Sequence, residues 1–363
     1  MSFFGSYRQD DVAFLLKRLP QQPFVDITLK ERLIQSGTRH YSEMLSPESL
    51  PSARYLQVFK EAYAANCQQM ARDCLSLAAL IAERRTGAIT LVSLVRAGTP
   101  VGVILKHLLQ RTMGRQVTHY SVSIIRDRGI DAVALRHILQ QGHAPESIVF
   151  IDGWTGKGVI ARELEQTVSD FNRCHDVKID CGLYVLSDLA GVASCAASSR
   201  DYLIPSSILN ATVSGLVSRS VLNESIGPAD FHGCVYYKKF ERHDLSRKFA
   251  DGLIAEAIVL NERGDRPQAA QIDRATVAKI SADFLQTTMA RHGIVDVNLI
   301  KPGIGEATRV LLRRVPRLLL LRNLDAADTA HLKVLATEKS VPLIVDADLP
   351  YQAVSLIRSS LDG

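Results

Sequence analysis

Short apolar runs alternate with amphipathic stretches between residues 88 and 188. AITLVSLV (88–95), VTHYSVSIIR (117–126), SIVFID (147–152) and IDCGLYVLSD (179–188) predict strands. VGVILKHLLQRT (101–112), DAVALRHILQQG (131–142) and VIARELEQTVSDF (159–171) predict the helices that separate or follow them. Asp131 reads as a helix cap and Gly142 as a stop. Ile160, Leu164, Val168 and Phe171 fall on one helical face. Strands that are apolar throughout and alternate with helices imply a parallel sheet covered on both faces.

The flanks read differently. Residues 1–85 are expected to be mainly helical, with RQDDVAFLLKRL and the run 53–82 carrying helical periodicity, and to pack on the sheet as an extension or hood. Residues 189–250 are irregular, with a short strand expected in GCVYYKKF (233–240). Two polar helices follow, separated by the GDRP turn at 264–267. A second β-α-β-α-β-α pattern then runs from VDVNLI (295–300) to LPYQAVSLIRSSL, which is expected to close the chain as a helix. The fold class is therefore α/β. A parallel-sheet domain with a helical N-terminal extension spans 1–246, a helical connector 247–293, and a small C-terminal α/β/α domain 294–363.

Composition narrows this little. The 363 residues are 47% hydrophobic and 22% charged, which suits a folded protein and is too apolar for a disordered one. The net charge of +5 informs only where it clusters. No apolar run approaches the roughly 20 residues of a membrane span, and the start does not read as a signal peptide. The six cysteines contain no Cys-x-x-Cys, and they are too sparse for a disulfide framework. Reduced thiols and a cytoplasmic setting are expected.

The sharpest motif is Val149-Phe150-Ile151-Asp152-Gly153-Trp154-Thr155-Gly156-Lys157-Gly158. It is a buried strand ending in an acid, then a Thr-Gly-Lys-Gly loop opening a helix. Free amides at such a helix start attract anions, and glycines let the backbone close on one. Thr155 can donate its hydroxyl, and Lys157 either adds charge or is an ordinary solvated side chain. Asp152 is placed for ribose hydroxyls or a magnesium ion. A Walker loop would need Ser or Thr where Gly158 stands. A tight ligand-free turn and a sugar-phosphate site remain as readings.

The acid followed by a Thr-Gly loop resembles the phosphoribosyltransferase signature, with Gly153 where a second acid stands and with a shorter loop. Arg96-Ala97-Gly98-Thr99, after the first sheet strand, is similar to the pyrophosphate loop of uracil-type phosphoribosyltransferases. Arg126-Asp127-Arg128-Gly129 matches the position of the mobile loop over the reaction centre. With Ser6-Tyr7-Arg8, Asp11, the segment RHYSEML (39–45) and GLVSRSVLN (215–223), the whole chain resembles a phosphoribosyltransferase-like family of tellurite-resistance and stress-response gene clusters. That family carries a C-terminal Pelota-type RNA-binding domain, and some members are labelled cysteine protease StiP.

The resemblance implies phosphoribosyl transfer, or the reverse phosphorolysis, with phosphoribosyl pyrophosphate and Mg²⁺. Asp152, Arg96, Arg126 and Arg128 would be catalytic, with Asp152 at the metal. Ala97, Gly98, Thr99, Gly153, Trp154, Thr155, Gly156, Lys157, Gly158 and Asp188 would bind substrate, with Asp188 reading a polar edge of the nucleobase or acceptor. The partners implied are a nucleotide or nucleobase and RNA; no membrane is expected, and a homodimer is left open.

Lys301, Gly303, Gly305, Glu306, Thr308, Arg309 and Arg313 resemble the RNA-contacting helix start of Pelota-type domains. From Ala307 to Leu324 there are five arginines and no acid, a local cluster suited to phosphate contact. Two alternatives stand beside the transferase. One is a cysteine hydrolase using Cys195 at a helix start, with His40, His232 or His243 as base. The other is a non-catalytic nucleotide- or RNA-binding sensor.

Overall fold

The computed structural model describes residues 3–20, 24–46, 48–265 and 272–358, and only the backbone of Ile27, Glu31 and Arg313. Strands β1 (Ala13–Leu15) and β2 (Lys17–Leu19) precede helices α1 (Ile27–Gln35) and α2 (Ala53–Arg84). There follow β3 (Ile89–Leu94), α3 (Gly98–Met113), β4 (Val117–Val122), the short pair β5 (Ile124–Ile125) and β6 (Gly129–Ile130), and α4 (Ala132–Gln140). Then come β7 (Ile148–Thr155), α5 (Val159–His175), β8 (Leu183–Asp188) and β9 (Cys195–Ser198). The order β1-β4-β3-β7-β8-β9 makes one parallel sheet. Its central strands are buried on both faces. Ile89, Leu91, Val149 and Ile151 pack toward α2 and α3, and Val92, Leu94, Ile148 and Phe150 toward α4 and α5. Asp131 caps α4, accepting from Val133 N (2.9 Å) and Ala134 N (3.1 Å).

Two expectations at the edges fail. RQDDVAFLLKRL contains no helix. β1 lies beside β4, and β2 pairs in parallel with β10 (Gly233–Val235). A short helix is marginal alone, and long-range strand pairing overrides its weak periodicity. Beyond Asp188 the chain does not start a helix at Cys195; it adds the sheet's sixth strand.

The two helices expected as a connector are divided between the units. α6 (Ser246–Glu262) packs on α2 and α3. From α7 (Arg274–His292), Phe284, Leu285 and Met289 cover one face of the C-terminal sheet. Of the turn between them, Gly264 and Asp265 are described, and Arg266 and Pro267 lie outside the described residues. The C-terminal unit comprises β11 (Ile300–Pro302), α8 (Ile304–Arg313), β12 (Pro316–Leu321), α9 (Ala330–Glu338), β13 (Leu343–Val345) and β14 (Ala353–Ile357), ordered β11-β14-β12-β13. β14 replaces the expected closing helix. It runs antiparallel between β11 and β12 with all five residues buried. A fully buried apolar run has no period that separates strand from helix.

The C-terminal unit docks on the carboxyl edge of the main sheet. Asp201 takes hydrogen bonds from Ile304 N (3.0 Å), the first residue of α8, and from Gln352 N (2.8 Å). It thus caps α8 from the other unit. At the sheet edge, the turn into α3 lies so close to β7 that a Cβ on Gly98 would sit 2.3 Å from the Ile151 carbonyl oxygen.

Gly98→Ala should lower stability by about 1–3 kcal/mol through overpacking against fixed backbone; an unchanged urea midpoint would contradict that approach. Asp201→Ala should cost about 1 kcal/mol for the lost cap. It should also shift the emission of Trp154, the sole tryptophan, which lies at the docked surface. Unaltered emission and midpoint would mean that Asp201 does not hold the units together.

Candidate functional site

Loops diverge after β3 and β7, because the chain passes from β3 to β4 on one side and from β7 to β8 on the other. Open α/β sheets place ligands at such a switch point. Here it opens into a cavity of about 710 Å³ that the C-terminal unit closes from above. Arg96, Arg126, Lys157 and Arg219 line it from the sheet side, with Lys30 at its margin, and Lys301, Arg309 and Arg314 from the C-terminal unit. Among the described residues, Glu48, Asp152, Asp296 and Glu306 stand against these eight basic side chains.

Asp152 lies on the cleft wall within β7 and accepts a hydrogen bond from Gly153 N at 2.8 Å. Burial pushes its carboxyl up to about 6, opposed by the Gly153 amide and Arg309. Gly156, Lys157 and Gly158 follow and open α5, whose N-terminus has no side-chain cap. By contrast, Asp26, Ser52, Asp131 and Asp273 cap α1, α2, α4 and α7. The first residues of α5, Val159, Ile160 and Ala161, line the cavity. Lys157 is not a solvated side chain. Its Nζ donates to Val297 O (2.6 Å), and burial together with Lys301 pushes it down to about 7.

Several expected contacts are corrected. The Thr155 hydroxyl donates to the buried Asp188 carboxylate at 2.6 Å. Asp188 also accepts from Ala190 N, Val192 N and Ala193 N, so it organises the turn after β8 and presents no edge to a base. Thr99 is fully buried, with its hydroxyl 2.7 Å from that of Ser121. Ala97, Gly98 and Gly153 lie behind the cleft wall, where the α3 turn packs on β7.

Arg96 does reach the cleft, following a cis Val95–Arg96 peptide bond. Its Nη1 is paired with Glu48 (2.7 Å) and Val217 O (3.0 Å). Arg126 stacks over Tyr41, whose hydroxyl accepts from Arg126 N (2.8 Å). Arg128 is half-exposed, 3.6 Å from Glu43, and is not a lining residue. The loop's turn, with Asp127 in the left-handed region, points only the first arginine inward.

The expected RNA-contacting helix start faces the cleft rather than solvent. Asp201 occupies the N-terminus of α8. The Arg309 guanidinium stacks on Trp154, 4.5 Å from the ring centroid, and pairs with Glu306 at 2.9 Å. A Cβ on Gly305 would lie 2.7 Å from the indole, so glycine is needed for this stack. Thr308 is buried, its hydroxyl donating to Ile304 O and lying 2.8 Å from His331 Nε2. Gly303 is the residue before α8. Lys301 lines the cleft, pushed down by burial. The Arg313 side chain lies outside the described residues. The arginine cluster disperses: Arg309 and Arg314 line the cleft, Arg317 donates to His292 O, and Arg322 is exposed.

Cys195 sits in β9, buried in the core, and burial pushes its thiol up despite Arg84. The expected bases are elsewhere: His232 bonds Ser123 and His40 bonds Ser42. Among the described residues no cysteine lines the cleft. A thiol buried in a strand and pushed up by that burial lacks the setting of a nucleophile.

Sequence reading missed Glu48, Arg219 and Asp201. Arg219 is half-buried, and desolvation pushes it down to about 10. It donates to Tyr41 O (2.6 Å) and to Met44 O, and so holds that segment over the cleft. It lies in GLVSRSVLN, so the motif was visible though the role was not. Glu48 and Asp201 carry no local signal.

Residues 5–254 match the family described as tellurite-like stress resistance cysteine protease StiP, and 279–359 match the PELOTA RNA-binding domain. The protein named cysteine protease StiP of Acinetobacter baylyi is 42% identical, over 98% of this chain and 94% of that protein. The Helicobacter pylori xanthine-guanine-hypoxanthine phosphoribosyltransferase covers 36% of this chain and 79% of its own, at 17% identity and a TM-score of 0.27. A Bacillus anthracis hypoxanthine-guanine phosphoribosyltransferase covers 43% and 83%, at 13% identity and a TM-score of 0.25. The fold class rests on the sheet order rather than on these partial likenesses. The chain belongs to the StiP family of tellurite-like stress resistance and carries a Pelota RNA-binding domain at its C-terminal end.

Proposed function

We propose that the cleft binds a phosphorylated ribose of the phosphoribosyl pyrophosphate type and transfers its phosphoribosyl group, or runs the reverse phosphorolysis. The observation that carries this is the uncapped start of α5 opening, beside the Asp152 carboxylate, into a cavity lined by eight basic side chains. A volume of about 710 Å³ suits a nucleotide-sized ligand. The Gly156–Gly158 amides and Lys157 hold the 5-phosphate, Arg96 and Arg126 the pyrophosphate, and Asp152 a ribose hydroxyl. Catalysis is then positioning and charge stabilisation of the ribosyl centre. Arg96 reaches a ligand by exchanging Glu48 for phosphate oxygens.

Magnesium fits only as an ion shared with the ligand. Among the described residues no group of three metal-ligating side chains converges. Mg²⁺ commonly takes one or two carboxylates with substrate phosphates; Asp152 would hold it, and the ion would neutralise pyrophosphate charge.

The relative's name assigns it cysteine protease chemistry. For this chain we place the chemistry on the cleft, where the described residues bring no thiol.

The C-terminal match supports RNA binding as a second activity. Lys301, Arg309 and Arg314, which line the cleft, would meet RNA phosphates there.

Calorimetry with phosphoribosyl pyrophosphate and Mg²⁺, followed by a turnover assay, tests the first reading. Asp152→Ala should abolish turnover and leave the fold intact, while Cys195→Ser should keep it. Wild-type turnover in the first variant would sink the assignment, and binding without turnover in the native chain would favour a sensor. Affinity should fall below about pH 6 as Asp152 protonates and above about pH 7 as Lys157 loses its charge; a flat profile would contradict both roles. Binding of a single-stranded RNA oligomer should weaken with salt and with Arg309→Ala. Equal affinity for the variant would count against the RNA reading.

A further inference from the structure

We propose that Glu306, carried by the C-terminal unit, is the second carboxylate of the ribose site, supplying the acid that the strand end lacks at Gly153. This rests on the sugar-phosphate reading of the cleft. A ribose with free 2- and 3-hydroxyls presents two adjacent donors and is best met by two acceptors. At the end of β7 one carboxylate is available, and its Oδ1 already takes the Gly153 amide. Position 153 lies behind the wall, where a Cβ would sit 3.6 Å from Ala97 O.

Glu306 meets the need from above. It lies in the first turn of α8 and lines the same cavity as Asp152. Its Cγ would be 3.1 Å from a Cβ on Gly156, so the phosphate loop and this side chain are in contact. One carboxylate oxygen is held by Arg309, which is itself held by Trp154. Trp154 closes the circuit, because it follows Gly153 on β7 and lies against Gly305 of α8. The side chain is therefore oriented before any ligand arrives. Its charge state also fits. Burial pushes the Glu306 carboxyl up, but Arg309, Lys301 and Lys157 outweigh this and hold it below the usual range. Its charge raises Asp152 in turn, so the two acids sense each other.

Two consequences follow. The ligand class is a ribosyl 5-phosphate with free ring hydroxyls, and a deoxyribosyl one is disfavoured. The C-terminal unit completes the cleft, so the site belongs to both units.

The test is calorimetry of the full chain with ribose 5-phosphate and with 2-deoxyribose 5-phosphate. The wild-type chain should prefer the ribose compound by about tenfold, the scale of one hydrogen bond to a charged group. Glu306→Gln should cut that preference to about threefold or less in a chain that circular dichroism shows to be folded. Glu306→Asp keeps the charge but withdraws it by one methylene, and it should lose the preference too; it serves if the glutamine variant does not fold. An undiminished preference in these variants overturns the proposal and leaves the phosphate site standing. Equal binding of both sugars by the wild-type chain does the same. Failure of the wild-type chain to bind either sugar phosphate overturns the proposal together with the sugar-phosphate reading.

Discussion

The contact between the β7–α5 loop and the first turn of α8 governs the rest of the structure. Gly156 and Gly305 have no side chains at the points where the two units meet, and each would place a Cβ within about 3 Å of the other unit. Trp154 fills the space between them, and Arg309 lies across its face. Asp201 fixes the C-terminal unit from below through the amides of Ile304, at the start of α8, and of Gln352, before β14. If this seam opened, the cavity would lose Lys301, Glu306, Arg309 and Arg314 together.

The electrostatics of the cleft follow from that closure. Basic groups outnumber acids two to one, and the burial that the C-terminal unit imposes strengthens each interaction by keeping water away. It raises Asp152 and lowers Lys157 toward neutrality, the range in which side chains exchange protons readily. The internal partners of the arginines matter as well. Glu48 holds Arg96 and Glu306 holds Arg309, so these two cleft arginines are paired and oriented within the fold. Arg219 and Tyr41 brace the segment above it, with two guanidinium groups stacked on one ring.

The same seam changes how the RNA-binding unit is understood. Its glycine-rich helix start, which in isolation would offer free amides to an RNA backbone, is occupied by a carboxylate and an indole. Lys301 and Arg309 line the closed cleft. Cys195 shows the opposite displacement. A thiol that looked free to act at a helix start is a core residue of the sheet's last strand.

Residue pattern alone determined the parallel sheet and the acid-plus-loop at the end of β7. Both are local: apolar strands alternating with amphipathic helices leave one way to bury their faces, and an acid followed by glycines before a helix is contiguous in the chain. Arg96 and Arg126 were legible for the same reason, since each closely follows a strand of that sheet. Tertiary structure alone decided the edges and the partners. β1, β9 and β14 are short, and their state was set by the strands beside them rather than by their own period. Thr155 and Asp188 are 33 residues apart, Arg96 and Glu48 lie on different segments, and Asp201 meets α8 about a hundred residues on. Pairings at such separations leave no mark on spacing or composition, because only the folded sheet brings their atoms within reach.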